Sequence, residues 1–282
     1  MPTRLPTLEG DPLMCGRYAA SADPDELIEI FNIDDNAMDE PTRSLLVKPQ
    51  NPPPGASDYN MAPSKAAPVV VARKGSRQLR LLSWGLVPSW AKDARGGARM
   101  INARAETVLE KPAYRTAART RRALVPAHGW YEWQVSPTAT TAAGKPRKQP
   151  FFTTRADSLP LAMAGIYEFW KDPTVSPGEA QTPWVVTFAI ITTAAEPGLD
   201  RIHDRQPLVL DPQHWDRWLD PTLTDDAEIG GLLASTDPGR FTTWPISPAV
   251  NRVANNGPEL LTELPAEHLV GVVDPNSGEV LG

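Results

Sequence analysis

Apolar residues in this chain recur at two spacings, and the shorter one dominates. Period-two alternation and short unbroken apolar runs bounded by turn residues predict strands at Val69–Ala72, Leu79–Val87, Arg122–Pro126, Gly129–Gln134, Phe151–Thr154, Leu161–Trp170, Trp184–Thr193, Pro207–Leu210, Phe241–Pro245 and Leu269–Val273. Helical spacing is confined to short pieces. Ser21–Ile33 opens on a Ser/Asp cap, carries Pro24 in its first turn and holds Leu27, Ile28, Ile30 and Phe31. Ala105–Thr120 is helix-compatible with an interruption at Pro112, and Asp211–Asp220 is a short helix opened by Pro212. Between these pieces lie a loop with five prolines at Asp34–Ser57, a Pro/Gly-bearing loop at 88–99 and a loose segment at Ser136–Gln149. No repeat or domain boundary breaks the order, so the pattern predicts one α+β domain with many short strands.

Composition narrows the class. The 282 residues suffice for a real buried core, and 41% hydrophobic with 22% charged residues is the balance of a soluble globular protein. No apolar run approaches the roughly 18 residues of a membrane span. The opening MPTRLPTLEGDPL holds two acids and three prolines and lacks an apolar core, which argues against a secretory signal. One cysteine permits no internal disulfide and no cysteine-based zinc cluster, and fits a reducing cytoplasm. Four scattered histidines, at 128, 203, 214 and 268, give a metal site little support, and no cofactor is expected.

The formal net charge of −6 hides a strong asymmetry. Arg73–Arg122 holds thirteen Lys/Arg against three acids, a local +10 that leaves −16 on the remainder. Such polarity suits either a basic face for a phosphate backbone or a solvated surface balanced by acids folded in from elsewhere.

Against this background a few residues could carry chemistry. Cys15 follows Met14 and precedes Gly16, Arg17 and Tyr18. An internal cysteine is usually a small buried hydrophobe. If the chain began at Met14, methionine removal would make Cys15 the first residue, with a thiol and an α-amine on adjacent carbons. That pair condenses with an aldehyde, the amine giving an imine and the thiol closing a five-membered thiazolidine. Glu132, in Gly129-Trp130-Tyr131-Glu132-Trp133, is either a solvent-facing strand-end carboxylate or a proton-transfer group raised by aromatic surroundings. His203 follows a long apolar strand and is either a proton shuttle or a histidine held by Asp204. Asn102, Arg104 and Glu106 lie together after the basic loop; in an extended segment Asn102 and Arg104 share a side, the amide to orient a substrate and the guanidinium to grip phosphate. The same run could open a helix. Trp84 reads as core, whereas Trp90 on its loop suits base stacking.

In this order the segments resemble the SOS response-associated peptidase family, also called abasic site processing proteins. The matching blocks are MCGRY (14–18), YNMAPS (59–64), WGLVPSW (84–90), INARAET (101–107), ALVPAHGWYEW (123–133), AGIYEFW (164–170), FAIITTAA (188–195) and IHDRQPLVL (202–210), with AVNRV (249–253) and NNGPEL (255–260) after them. The resemblance implies a domain over 14–265, between a 1–13 leader or mis-assigned start and a 266–282 C-terminal tail, with mostly antiparallel strands in a barrel-like core. It implies a monomer that crosslinks covalently to abasic sites in single-stranded DNA during the response to DNA damage, with no membrane partner. By matching positions it makes Cys15 the nucleophile, Asn102 its positioning amide, and Glu132 and His203 the acid/base groups. Arg17, Arg104 and Arg205 are matched to DNA phosphates and Trp90 to the DNA junction. A self-processing peptidase and a lyase activity are also implied, and binding near the nucleoid follows from the substrate.

Three features depart from the pattern. Thirteen residues precede Met14, and with them attached Cys15 has no α-amine. His128 stands where an acid is more usual, and the Pro-rich 39–57 stretch is longer than expected. Two other readings compete. One is a cysteine peptidase acting on peptides, with Cys15 as nucleophile and His203 as base. The other is a single-strand binding module in which Arg17, Arg104 and Trp90 matter and Cys15 does not.

Overall fold

The long alternating runs pair with one another, as their period requires. In the computed structural model, residues 15–40, 43–46, 48–176, 182–234 and 239–281 are described. The elements are β1 (Arg17–Ala20), α1 (Pro24–Ile30), β2 (Asp35–Asn36), β3 (Asp58–Met61), β4 (Ala66–Arg73), β5 (Ser76–Trp84), β6 (Asn102–Arg104), α2 (Arg115–Thr120), β7 (Arg122–Ala127), β8 (Gly129–Thr140), β9 (Pro146–Arg155), β10 (Leu161–Lys171), β11 (Trp184–Ala194), β12 (Arg205–Pro207), α3 (Pro212–Leu219), α4 (Asp226–Leu233), β13 (Phe241–Pro245), β14 (Val272–Val273) and β15 (Val280–Leu281).

Five strands close a barrel in the order β11-β10-β7-β4-β5. Four of its five seams are antiparallel. The closing seam is parallel, with Ser83 opposite Thr187 and Trp84 opposite Phe188. Alternate residues of each strand then face inward, and Val69, Val71, Leu82, Trp84, Val125 and Phe188 fill the interior. The outward set, including Val70, Leu79, Leu124 and Ile166, lies under the helices through Leu27, Phe31, Trp215, Trp218 and Ile229. Strands covered on both faces need apolar residues at nearly every position, which is why β7 and the first eight residues of β10 are buried throughout.

A second, antiparallel sheet has the order β13-β9-β8-β1-β3 and adds Cys15, Tyr18, Met61 and Trp130 to the barrel's interior cluster. The sheet is close-packed at Gly129, where a Cβ would lie 2.3 Å from the Phe152 ring and 2.4 Å from the Thr153 carbonyl oxygen. At its edge, Lys65 and Asp58 form a buried ion pair at 2.6 Å, and the other Asp58 oxygen accepts from the Asn60 backbone N–H.

Three expected segments are corrected and one helix is added. Ser136–Gln149 is not loose: β8 and β9 run on as a hairpin to Thr140 and from Pro146, around a turn closed by Thr141 and Lys145. Its tip is polar on both faces, so no apolar alternation marks it. The helix expected over Ala105–Thr120 forms only at Arg115–Thr120, because Pro112 cannot donate to a preceding turn. Asp226–Leu233, unpredicted, is a helix capped by the Asp225 carboxylate at Ala227 and Glu228. The segment expected as a tail packs back on β8: Leu269 and Val272 join Phe151 and Ile202, and Gln134 bonds both backbone groups of Val273.

Removing one member of a buried pair strands the other charge. Lys65→Met is therefore expected to cost about 3–5 kcal/mol in urea unfolding; a loss below about 1 kcal/mol would show that Asp58 is already satisfied by its backbone partner.

Candidate active site

β1 lies between β8 and β3, and its register decides what meets Cys15. Arg17 is opposite Tyr131 and Tyr18 opposite Trp130, so the residues just before β1 run alongside those just after Tyr131. The Cys15 nitrogen thereby donates to Glu132 Oε1 at 2.6 Å. The thiol also feels the charge of the same carboxyl group. Both residues are buried, Cys15 at 2% and Glu132 at 6% exposure. Cys15 also has φ +44°, a left-handed conformation that costs an L-residue about 1–2 kcal/mol.

Burial dominates the electrostatics. It pushes the Glu132 carboxyl above the usual carboxylate range, against the opposing pull of His203 and the Cys15 hydrogen bonds. It pushes the Cys15 thiol well up, helped by the neighbouring Glu132 charge and opposed by Arg205. A cavity of about 10 Å³, lined in part by Trp130, Glu132, Thr153, His203 and Gln206, leaves room for no more than about one water molecule.

His203 Nδ1 accepts from the Arg205 backbone N–H at 3.1 Å and lies 2.9 Å from Asp204 Oδ1. The ring thus meets a backbone donor and a carboxylate through the same nitrogen, in a cavity whose lining it shares with Glu132.

The structure brings Cys15, Glu132, His203 and Arg205 together. Asn102 is half-buried on β6 opposite Ile190, and the preceding Ile101 shares the apolar cluster of Cys15. The extended alternative for this segment is the one realised, with Ala103 buried and Arg104 exposed. Trp84 is core, its indole N–H bonded to the Ile101 carbonyl, whereas Trp90 is 70% exposed. His128 is exposed at the β7–β8 junction. Arg17 Nη1 donates to Asn60 Oδ1 at 2.7 Å and to the Val250 carbonyl at 2.9 Å. The Asn60 amide in turn bonds carbonyls of Val250, Arg252 and Asn255, so the late blocks at 249–260 hold Arg17 in place.

Arg205 is engaged by a residue the candidate set leaves out. Glu106 takes its guanidinium at both ends, Nη1 to Oε1 at 2.6 Å and Nη2 to Oε2 at 2.9 Å. A carboxylate two residues after Arg104, in the turn that follows β6, was the available signal. The basic stretch is also partly neutralised: Arg77 pairs with Asp216, Arg80 with Glu40, Arg95 with Asp93, Arg119 with Asp226 and Arg121 with Glu168. Arg122 is buried among backbone carbonyls. Lys92, Arg99 and Arg104 remain exposed on the Trp90 side of the sequence.

Residues 14–253 match the family described as SOS response associated peptidase. The chain is 35% identical over 248 residues to the abasic site processing protein YoqW of Bacillus subtilis, covering 88% of this chain and 99% of that protein. It is 31% identical over 250 residues to the abasic site processing protein YedK of Escherichia coli, covering 88% and 99%. With the abasic site processing protein HMCES of Rattus norvegicus, identity is 30% over 294 aligned positions, covering 91% and 77%. Among solved structures, a Bacteroides thetaiotaomicron protein superposes with a TM-score of 0.65 at 24% identity over 89% of this chain and all of its own, a likeness of fold. No helix among the described residues is long and apolar enough to cross a membrane.

An acid whose pKa is raised by folding ionises first in the unfolded chain, so stability is full at low pH and falls as pH rises through the folded value. Glu132→Gln removes that ionisation while keeping an acceptor for Cys15. It is expected to raise the Tm at about pH 8 and to leave it nearly unchanged at about pH 4. A lower Tm at the higher pH would mean that the partners stabilise the carboxylate more than burial penalises it.

Proposed function

Because the chain belongs to the SOS response associated peptidase family, we propose that it processes abasic sites by capturing the ring-opened sugar in single-stranded DNA on Cys15. The observation that carries the reading is the 2.6 Å contact between the Cys15 nitrogen and Glu132 Oε1 in a nearly dry site. It puts a carboxyl of raised pKa at the atom that must gain and lose protons.

The chemistry needs the Cys15 nitrogen as a free amine. The amine adds to the aldehyde carbon of the opened sugar, and the resulting carbinolamine loses water to give an imine. The thiol then adds to the imine carbon, closing a thiazolidine. Two bonds to that carbon form, C–N and C–S, the C=O bond breaks, and one water leaves. Glu132 transfers the protons of sugar opening and dehydration, and His203 serves as the second acid/base group. Asn102 orients the opened sugar. Arg17, Arg104 and Arg205 supply positive charge for the backbone, and Trp90 offers an exposed face for a base.

The same contact suits self-processing. In hydrolysis of the bond before Cys15, its nitrogen is the leaving group, and Glu132 is within reach to protonate it as the C–N bond breaks and water adds to the carbonyl carbon.

The test is incubation of protein beginning at Cys15 with a single-stranded oligonucleotide carrying one abasic site, followed by a denaturing gel. A heat-stable shifted band is expected for the wild type. Cys15→Ser keeps the amine but lacks the thiol, and should give a band only after borohydride reduction of the imine. Glu132→Gln should slow capture by about 10²-fold or more. A stable band from Cys15→Ser without reduction would overturn the thiazolidine, and no band from the wild type would overturn the capture reading.

A further inference from the structure

We propose that the end of the barrel remote from Cys15 is a second binding site, for a free mononucleotide whose base lies against Trp184 and whose phosphate is held by Arg73 and Arg80. The inference stands apart from the capture reading and does not depend on it.

The site follows from the short seam that closes the barrel. β5 pairs with β2 at Gln78 and Leu79, and with β11 at Ser83 and Trp84. Arg80–Leu82 lies between these pairings, alongside the first residues of β11, and the wall opens there into a cavity of about 470 Å³. That is the size of a small-ligand site, and a barrel mouth is a usual place for one. The inward set of each strand, followed to its end, supplies the lining. Arg73 comes after Val69 and Val71 on β4, Arg80 before Leu82 on β5, and Phe169 after Tyr167 on β10. Trp184 and Val186 precede Phe188 on β11. Leu82, Trp84 and Phe188 fill the interior behind the cavity, whereas Arg205 of the candidate active site meets β11 at Ala194, its far end.

The lining selects an anion with a flat body. The Trp184 indole is 47% exposed at the rim. Arg73 lies with its guanidinium 5.8 Å from the centre of the Phe169 ring. It is exposed, and among the described residues no carboxylate pairs with it. Arg80 is half-buried and gives one terminal nitrogen to Gln78 Oε1 at 3.1 Å and the other to Glu40. Among the described residues Glu40 is the one carboxylate in the lining, and Arg80, with help from Arg73 and Lys74, holds it below the usual carboxylate range. Three cations against one acid make the mouth electropositive on a chain of net charge −6. The Glu40 side chain is more than half exposed, so it can swing into solvent when a phosphate takes its place on Arg80. Guanidinium groups suit a phosphate and an exposed indole suits a base, and a concave cavity of this size takes one nucleotide rather than a run of them.

The test is isothermal titration calorimetry of the full chain with 2′-deoxyadenosine 5′-monophosphate. One-to-one binding is expected with a dissociation constant below about 1 mM. Deoxyadenosine alone and inorganic phosphate alone should each bind about 10-fold more weakly or worse. Arg73→Gln and Trp184→Leu should each lose about 10-fold in affinity or more, whereas Glu40→Gln, which removes the competing carboxylate, should gain about 3-fold or more. Protein beginning at Cys15 and carrying Arg73→Gln should capture an abasic oligonucleotide at the wild-type rate. No binding at about 1 mM overturns the proposal, as does wild-type affinity in Arg73→Gln or a Glu40→Gln that binds no more tightly than the wild type. Slowed capture in Arg73→Gln would put that residue in the DNA site and overturns it too. So does an intact single-stranded oligonucleotide that displaces the mononucleotide at a lower concentration than the mononucleotide itself requires, which would assign the cavity to a nucleotide within a strand. Absence of any adduct with abasic DNA in the wild type is a different result: it overturns the capture reading and leaves the calorimetry to decide this one.

Discussion

A carboxyl group removed from water must find partners or stay protonated, and Glu132 meets that constraint with the backbone nitrogen of Cys15. Much of the surrounding architecture serves this contact. β1 is fixed between β8 and β3, so the chain just before it has one place to go. Under it, the barrel interior supplies Trp84 and Phe188 as a rigid apolar floor shared with Tyr18. Beyond it, Arg17 is tied to Asn60 and to the carbonyls of the 249–255 segment, which restrains β1 from the far side. The left-handed backbone at Cys15 is tolerated because these supports leave it no alternative.

The barrel was legible because strands buried on both faces must be apolar nearly throughout, and the runs at 122–126, 161–170 and 184–193 carry that signature. The closing parallel seam between β5 and β11 was not, since register between strands a hundred residues apart leaves no local trace. The polar hairpin tip at 140–146 was misread for a related reason: a ribbon end solvated on both faces has no alternation to detect. Individually, Cys15, Glu132 and His203 each had an ordinary explanation. The structure gathers them, and burial of Glu132 rules out the solvent-facing reading of that residue. His203 retains its other reading as well, because Asp204 does lie against its ring.

Charge was the least legible property. The local +10 of Arg73–Arg122 suggested one basic face, but folding brings Asp216, Glu40, Asp226 and Glu168 onto four of its arginines and buries Arg122. What remains exposed near Trp90 in sequence is smaller: Lys92, Arg99 and Arg104. Glu106 shows the same effect within the site, where it pairs with both ends of the Arg205 guanidinium. Net charge along a sequence counts side chains, whereas a binding face depends on which of them are still free of partners.

The central claim is that Cys15 acts through two atoms at once, its nitrogen and its sulfur. The most direct measurement is tandem mass spectrometry of the N-terminal peptide after capture of an abasic oligonucleotide and nuclease digestion. A sugar adduct is expected on Cys15 with the amine resistant to acylation and the sulfur resistant to alkylation, and with a mass reduced by one water relative to the sum of the two partners. An adduct on a lysine, or on Cys15 with either atom still reactive, would contradict it.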